Sequence, residues 1–248
     1  MKAELYALTH RGNAGDIAFY REVCRGAQRV LELGSGYGRM LSALSGPKRK
    51  LVGLECDPEF LSLAKRNLRM LPAAKRQSVR LVRADMRSFA LEQRFERVLL
   101  PYNALYCLLS KRDALACFRA ARRALEPGGT FALDVWNAAP FHLNGLGEIG
   151  EDDATPIASL KHAGRTWDVF ESSRVRRTQQ RLDVSYTYLP REGGTPYQIP
   201  IAQRYFLAPE IADLLGRAGF AIEARYGDFS KRRFGARSAQ LIVIARAI

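Results

Sequence analysis

The run Val30-Leu31-Glu32-Leu33-Gly34-Ser35-Gly36-Tyr37-Gly38 has the residue types and spacing of a ligand site. An apolar stretch ends beside an acid, and glycines follow at alternate positions. Glycine reaches positive φ at little cost, and its bare backbone lets a ligand approach closely. Amides at the start of a following helix add aligned donors. The pattern predicts a strand, a tight turn and a helix around a nucleotide-like ligand. A nicotinamide-dinucleotide site asks for Gly-x-Gly-x-x-Gly or Gly-x-Gly-x-x-Ala. Arg39 stands in the sixth place, which argues against an oxidoreductase using that cofactor.

The elements that must position this turn follow from periodicity. Helices are predicted over 16–28, 37–45, 58–71 and 113–125. Short apolar strands are predicted over 29–33, 51–55, 79–83, 97–100 and 130–136. Pro58 suits a first helical turn, where a missing N–H costs nothing. Alternating strands and helices predict a parallel sheet covered on both faces. The texture changes after Asn137. Residues 138–164, with the acidic stretch Glu148 to Asp153, read as a loop or lid with one short helix. Period-two alternation then predicts antiparallel strands over 168–176, 182–189 and 198–207. A helix opening at Pro209 and two strands, 220–226 and 239–245, complete the chain.

Further landmarks follow the glycine turn in order. Val52-Gly53-Leu54-Glu55 ends the second strand on an acid, before Cys56-Asp57-Pro58. Ala84-Asp85-Met86 follows the third strand. Leu125-Glu126-Pro127-Gly128-Gly129-Thr130-Phe131 leads into the fifth. Taken together, these segments resemble the class I S-adenosylmethionine-dependent methyltransferases. The back third resembles small-molecule N-methyltransferases acting on amino sugars or glycine-like amines. The resemblance implies an α/β, Rossmann-like seven-stranded mostly parallel sheet with one antiparallel strand, plus an inserted antiparallel β cap. Residues 1–136 would form the cofactor-binding core with an N-terminal lid, 137–207 the cap over the acceptor, and 208–248 the completion of the sheet.

The resemblance also implies roles. Glu55 would take the ribose hydroxyls, a bidentate arrangement suited to a carboxylate. Asp85 would accept from the adenine amino group, with Met86 on the ring. Glu32, Gly34, Ser35, Gly36 and Gly38 would face the methionine end, and Cys56, Leu100 and Tyr102 would complete the wall. Tyr6, Arg11 and Tyr20 would belong to the lid. For the acceptor, the fourth strand leads into Leu100-Pro101-Tyr102-Asn103-Ala104-Leu105-Tyr106-Cys107. Methyltransferases acting on base amino groups carry Asn-Pro-Pro-Tyr or Asp-Pro-Pro-Tyr here, and those acting on cytosine carbon use Pro-Cys. Neither motif is present. Asn103 and Tyr106 are candidate catalytic residues, and His142 is the candidate base. Scattered histidines without clustered acids predict no metal site.

The chain has 248 residues, a formal net charge of +14 and a hydrophobic content of 47%. It can bury a full core, which excludes disorder and collagen-like fibre. The charge invites a nucleic-acid partner, but it is spread along the chain. The longest basic runs are Lys48-Arg49-Lys50 and Lys231-Arg232-Arg233. Four dispersed cysteines argue against a zinc knuckle or a disulfide frame. No apolar run reaches the roughly 18 residues of a membrane span, and no secretory leader is evident. These features are consistent with a cytoplasmic protein, and the resemblance implies an enzyme methylating a nitrogen or oxygen of a small metabolite, with a homodimer through the cap as one arrangement. Two alternatives stay open: an RNA or protein methyltransferase, and a non-catalytic module that binds S-adenosylmethionine.

Overall fold

The computed structural model describes residues 1–143 and 154–248. The predicted acidic stretch Glu148 to Asp153 lies outside them. The first half alternates as its periodicity requires: α1 (Lys2–Thr9), α2 (Asp16–Val23), β1 (Arg29–Leu33), α3 (Arg39–Leu44), β2 (Lys50–Glu55), α4 (Pro58–Arg69), a short α5 (Ala73–Arg76), β3 (Val79–Arg83), β4 (Phe95–Leu100), α6 (Lys111–Ala124) and β5 (Leu125–Trp136). Then come α7 (Ala138–Leu143), β6 (Thr155–His162), β7 (Arg165–Arg176), β8 (Arg181–Pro190), β9 (Tyr197–Arg204), α8 (Ala208–Arg217), β10 (Phe220–Tyr226) and β11 (Gln240–Ala247).

The seven-stranded sheet has the order β10-β11-β5-β4-β1-β2-β3. Only β11 is reversed, pairing antiparallel with both β5 and β10. Strands β1 and β4 lie at the centre, and their side chains are buried by helices on both faces. Local sequence fixes the helix starts. The Asp57 side chain accepts from the Glu59 amide at 2.8 Å, and Pro58 opens α4. Ser110 accepts from the Asp113 amide at 3.0 Å to start α6. Each such cap contributes about 1 kcal/mol.

The second sheet has the order β6-β7-β8-β9 and is antiparallel throughout. One inner face buries Trp167, Val169, Val184, Tyr186, Tyr188 and Ile199 with Leu5 of α1. Strand β6 corrects the loop predicted over 138–164. Its residues are mostly exposed, so it shows little of the alternation that identifies a half-buried strand, yet it pairs with β7 as an edge. Helix α2 ends five residues before the predicted Gln28, short of Gly26 at φ 76°.

Helix α1 ties the sheets together. Lys2 Nζ donates to Asp57 at 2.6 Å, the Ala3 amide donates to Glu59 at 3.0 Å, and Glu4 pairs with Arg66. On the cap side, His162 Nε2 lies 3.4 Å from Glu4. The helix thus lies as a strap between α4 and β6.

Candidate active site

Two adjoining chambers open at the carboxyl ends of the parallel strands. The first holds about 390 Å³ and is lined by the glycine turn, by Glu32 and Glu55, by Tyr6 and Phe60, and by the edge of β9. The second holds about 420 Å³ and lies between the Tyr102-Asn103 turn and the cap, with Trp136, Glu171 and Tyr186 on its wall. Tyr6, His10, Tyr102, Cys107 and Ile201 line both. A further depression, edged by Lys48, Arg49 and Lys50, lies at the opposite ends of β1 and β2 and cannot serve the same site.

The glycine turn does what its spacing requires. Gly34, Gly36 and Gly38 have φ of 65°, 54° and 81°, conformations that an L side chain strains to reach. The Gly36 amide donates to Glu55 Oε2 at 2.8 Å, and the Asp57 amide donates to Oε1 at 2.8 Å. The Glu55 carboxylate is therefore fixed at the end of β2, with lone pairs left over for a ligand.

Glu32 sits on the same wall and is 3% exposed. Its Oε2 and the Ser35 hydroxyl are buried without hydrogen-bond partners among the described residues. Burial, helped by neighbouring Glu55, pushes its carboxyl up to about 8 against the pull of Arg39. A buried carboxylate oxygen left without a partner is costly unless a ligand completes it. A ligand with a cationic centre would do so, which fits the sulfonium and ammonium groups of S-adenosylmethionine.

Arg39, the residue that breaks the dinucleotide spacing, has its own task. Its two terminal nitrogens donate to Asp16 at 3.0 and 2.6 Å, and Asp16 is 3% exposed. The pair fastens α2 to α3. The chain crosses directly over it at Gly12, where an added Cβ would stand 2.3 Å from the guanidinium carbon.

The second chamber rests on a strained turn. Tyr102 and Asn103 both have positive φ, 55° and 59°, which costs a non-glycine residue about 1–2 kcal/mol. Strand β5 holds them there. The Tyr102 amide donates to Asp134 Oδ1 at 3.0 Å, and the Asn103 amide donates to the Asp134 carbonyl at 3.1 Å. The Trp136 amide in turn donates to Asn103 Oδ1 at 2.6 Å. Asp134 is 1% exposed, and burial pushes its carboxyl up to about 6. The Tyr20 hydroxyl donates to it at 2.5 Å.

Nine of the residues assigned from sequence to the cofactor line the first chamber: Tyr6, Glu32, Gly34, Ser35, Gly36, Glu55, Cys56, Met86 and Tyr102. Five do not line it. Gly38 caps α3 behind the turn, and Leu100 is core. Tyr20 lies behind the wall on Asp134, and the Arg11 Nε donates to the Leu8 carbonyl at 3.0 Å. The Asp85 carboxylate is taken by Arg87, whose terminal nitrogen lies 2.6 Å away and whose charge holds it below the usual range. Among the catalytic candidates, Asn103 lines the acceptor chamber. Tyr106 is fully buried, and its hydroxyl donates to the Trp136 carbonyl at 2.7 Å. His142 meets the Tyr205 hydroxyl at 2.9 Å and lines neither chamber.

Sequence reasoning missed His10, Asp134 and Glu171. His10 lines both chambers, packs its ring 4.6 Å from that of Tyr186, and has a buried, unpartnered Nε2. Burial pushes its imidazole down to about 4, so it is neutral near pH 7.

Residues 30–129 match the family model of the methyltransferase domain. A Streptomyces fradiae protein named dTDP-3-amino-3,6-dideoxy-alpha-D-glucopyranose N,N-dimethyltransferase is 25% identical over 93% of this chain and 88% of its own length. The solved CcbJ methyltransferase from Streptomyces caelestis is 28% identical, with a TM-score of 0.80, over 96% of this chain and 98% of that one. CalS10, an amino pentose methyltransferase from Micromonospora echinaspora, shares the fold at 23% identity and a TM-score of 0.69, over 100% of this chain and 98% of that one.

The methyltransferase domain over residues 30–129, carried on a seven-stranded sheet with one reversed strand, makes this chain an S-adenosylmethionine-dependent methyltransferase. Among methyltransferases, this chain is similar to an amino-sugar N,N-dimethyltransferase.

Proposed function

We propose that the protein methylates the nitrogen of a small-molecule amine held in the chamber beneath the cap. The observation that carries this reading is the shared wall: Tyr6, His10, Tyr102, Cys107 and Ile201 line both chambers. A ligand in each would meet across these side chains. When bound, S-adenosylmethionine supplies a methyl carbon on a cationic sulfur; as the N–C bond forms, the C–S electron pair leaves to sulfur.

The residues divide the remaining work. Glu55, fixed by two backbone amides, accepts ribose hydroxyls. Glu32 faces the cationic end, and Met86 offers apolar surface to the base. His10, being neutral, presents its free Nε2 as an acceptor for the amine N–H and brings no competing positive charge. Asn103 lines the same chamber, and its carbonyl oxygen anchors the turn that presents Tyr102. The product ammonium sheds its surplus proton to solvent. Most of the acceleration then comes from holding nitrogen, carbon and sulfur in line. Residues 137–207 act in this reading as the acceptor cover.

The test couples calorimetric titration of S-adenosylmethionine with transfer of its labelled methyl group into a pool of small amines. Saturable binding and label in an amine product are the expected outcome. A folded protein that binds neither S-adenosylmethionine nor S-adenosylhomocysteine refutes the reading.

A further inference from the structure

The acceptor chamber has a charge character opposite to that of the chain. Among its described lining residues, Glu171 is the one formally charged side chain, and neither lysine nor arginine is present. The aromatic side chains Tyr6, Tyr102, Trp136, Phe141 and Tyr186 surround most of the space, and the polar groups on the wall, His10, Asn103, Ser173 and Gln203, carry no formal charge near pH 7. This sits inside a protein of net charge +14.

Strand alternation produces the separation. Glu171 and Ser173 of β7, Leu182, Val184 and Tyr186 of β8, and Ile201 and Gln203 of β9 line the chamber at every second position. They are register partners: Glu171 faces Tyr186, Ser173 faces Val184, and Leu182 faces Gln203. Arg174, Arg176, Arg181 and Arg204 fall on the alternate positions and so on the other side of the pleat. Arg176 and Arg181 pair there with Asp183, and Arg204 with Glu210.

We propose that this chamber selects an amine that arrives as a cation, with an apolar body and no phosphate, that Glu171 is the residue that recognises its ammonium group, and that this group gives one proton to solvent, freeing the nitrogen lone pair, before methyl transfer. The proposal rests on the methyltransferase reading and narrows its substrate. The Glu171 carboxylate, beside the Tyr186 hydroxyl, offers an ammonium group a charged acceptor. The surrounding rings add cation–π attraction, worth more in a desolvated site than in water. A nucleotide-linked sugar of the kind named for the Streptomyces fradiae relative would bring a diphosphate instead. Nothing on the described wall would neutralise it, and Glu171 would repel it. Moving such charge from water without a partner is unfavourable.

The experiment uses the full chain saturated with S-adenosylhomocysteine. Calorimetry then measures binding of 2-phenylethylamine, its neutral counterpart 2-phenylethanol, the anion 3-phenylpropanoate, and thymidine diphosphate. The amine is expected to bind at least tenfold tighter than the alcohol, and the two anions are expected not to compete with it. Glu171→Gln should remove the amine preference and leave S-adenosylhomocysteine affinity unchanged, which also reports that the variant is folded. The proposal is overturned if either anion displaces the amine, if the preference survives in Glu171→Gln, or if no amine binds to a protein that binds S-adenosylhomocysteine. Failure of S-adenosylhomocysteine itself to bind overturns the methyltransferase reading, and the proposal with it.

Discussion

The cofactor chamber is walled by a glycine turn and strand ends, and it carries the charged side chains Lys2, Glu32, Arg39, Glu55 and Asp57. The acceptor chamber is walled largely by strand faces and carries Glu171 alone among the described residues. In the first, the backbone sets the shape, because amides of the turn fix Glu55 and glycine conformations fix the turn. In the second, side chains projecting from a regular pleat set the shape, and any of them can change without altering the strand that bears it. In the proposed reading, one wall would hold a constant ligand, and the other could be varied to suit a different acceptor.

Glu55→Ala is the most damaging way to probe this contrast. It removes the acceptor of two ligand hydroxyls, each a charge-assisted bond of about 1.5 kcal/mol. S-adenosylmethionine affinity, read by calorimetry, should fall about 100-fold. A loss below threefold would mean that the end of β2 does not hold the ribose.

Glu32→Gln tests the electrostatics of the same chamber with a smaller effect. The carboxyl is raised to about 8 in the free protein, and a cationic ligand lowers it again. Binding near pH 7 should therefore release a proton, and affinity should rise with pH and level off near 8. Titrations in buffers of different ionisation enthalpy measure that release, which the Gln variant should lack. An equal release in the variant would assign the proton to another group.

The smallest effect belongs to the far side of the cap. Arg191 pairs with Asp168 at 2.8 Å on the exposed part of β7. Exposed pairs of this kind contribute little. Arg191→Ala should leave both the thermal midpoint and S-adenosylhomocysteine affinity unchanged within error. A weakened cofactor site would show that the two chambers are mechanically coupled through the whole cap.

The same contrast explains what could be read in the sequence. Glu32, Glu55 and the glycines were legible because a strand–turn–helix requires particular residue types at fixed spacing. The reversed last strand was implied by the resemblance that these landmarks carry, not by the periodicity of the back third. Side-chain direction was not legible. Asp85 follows β3 as its spacing indicates, but its carboxylate turns to Arg87, a choice of rotamer and neighbour. Glu171 looked like one more alternating strand residue, since the face it joins depends on pairing across three strands. His10 lies in a segment without periodicity, and only folding brings it between two chambers. Asp134 left one readable signal, an acid inside the apolar strand Ala132-Leu133-Asp134-Val135.

The strap formed by α1 bears on the rate at which the enzyme turns over. Its Tyr6 and Lys2 line the cofactor chamber, while Lys2, Glu4 and their partners Asp57, Arg66 and His162 fasten the helix at the surface. In the proposed reading, spent cofactor would leave past this fastening. Exposed ion pairs weaken as ions screen them, so the strap would loosen as ionic strength rises. In a cycle limited by product departure, moderate salt would quicken each round while loosening the grip on the incoming ligand.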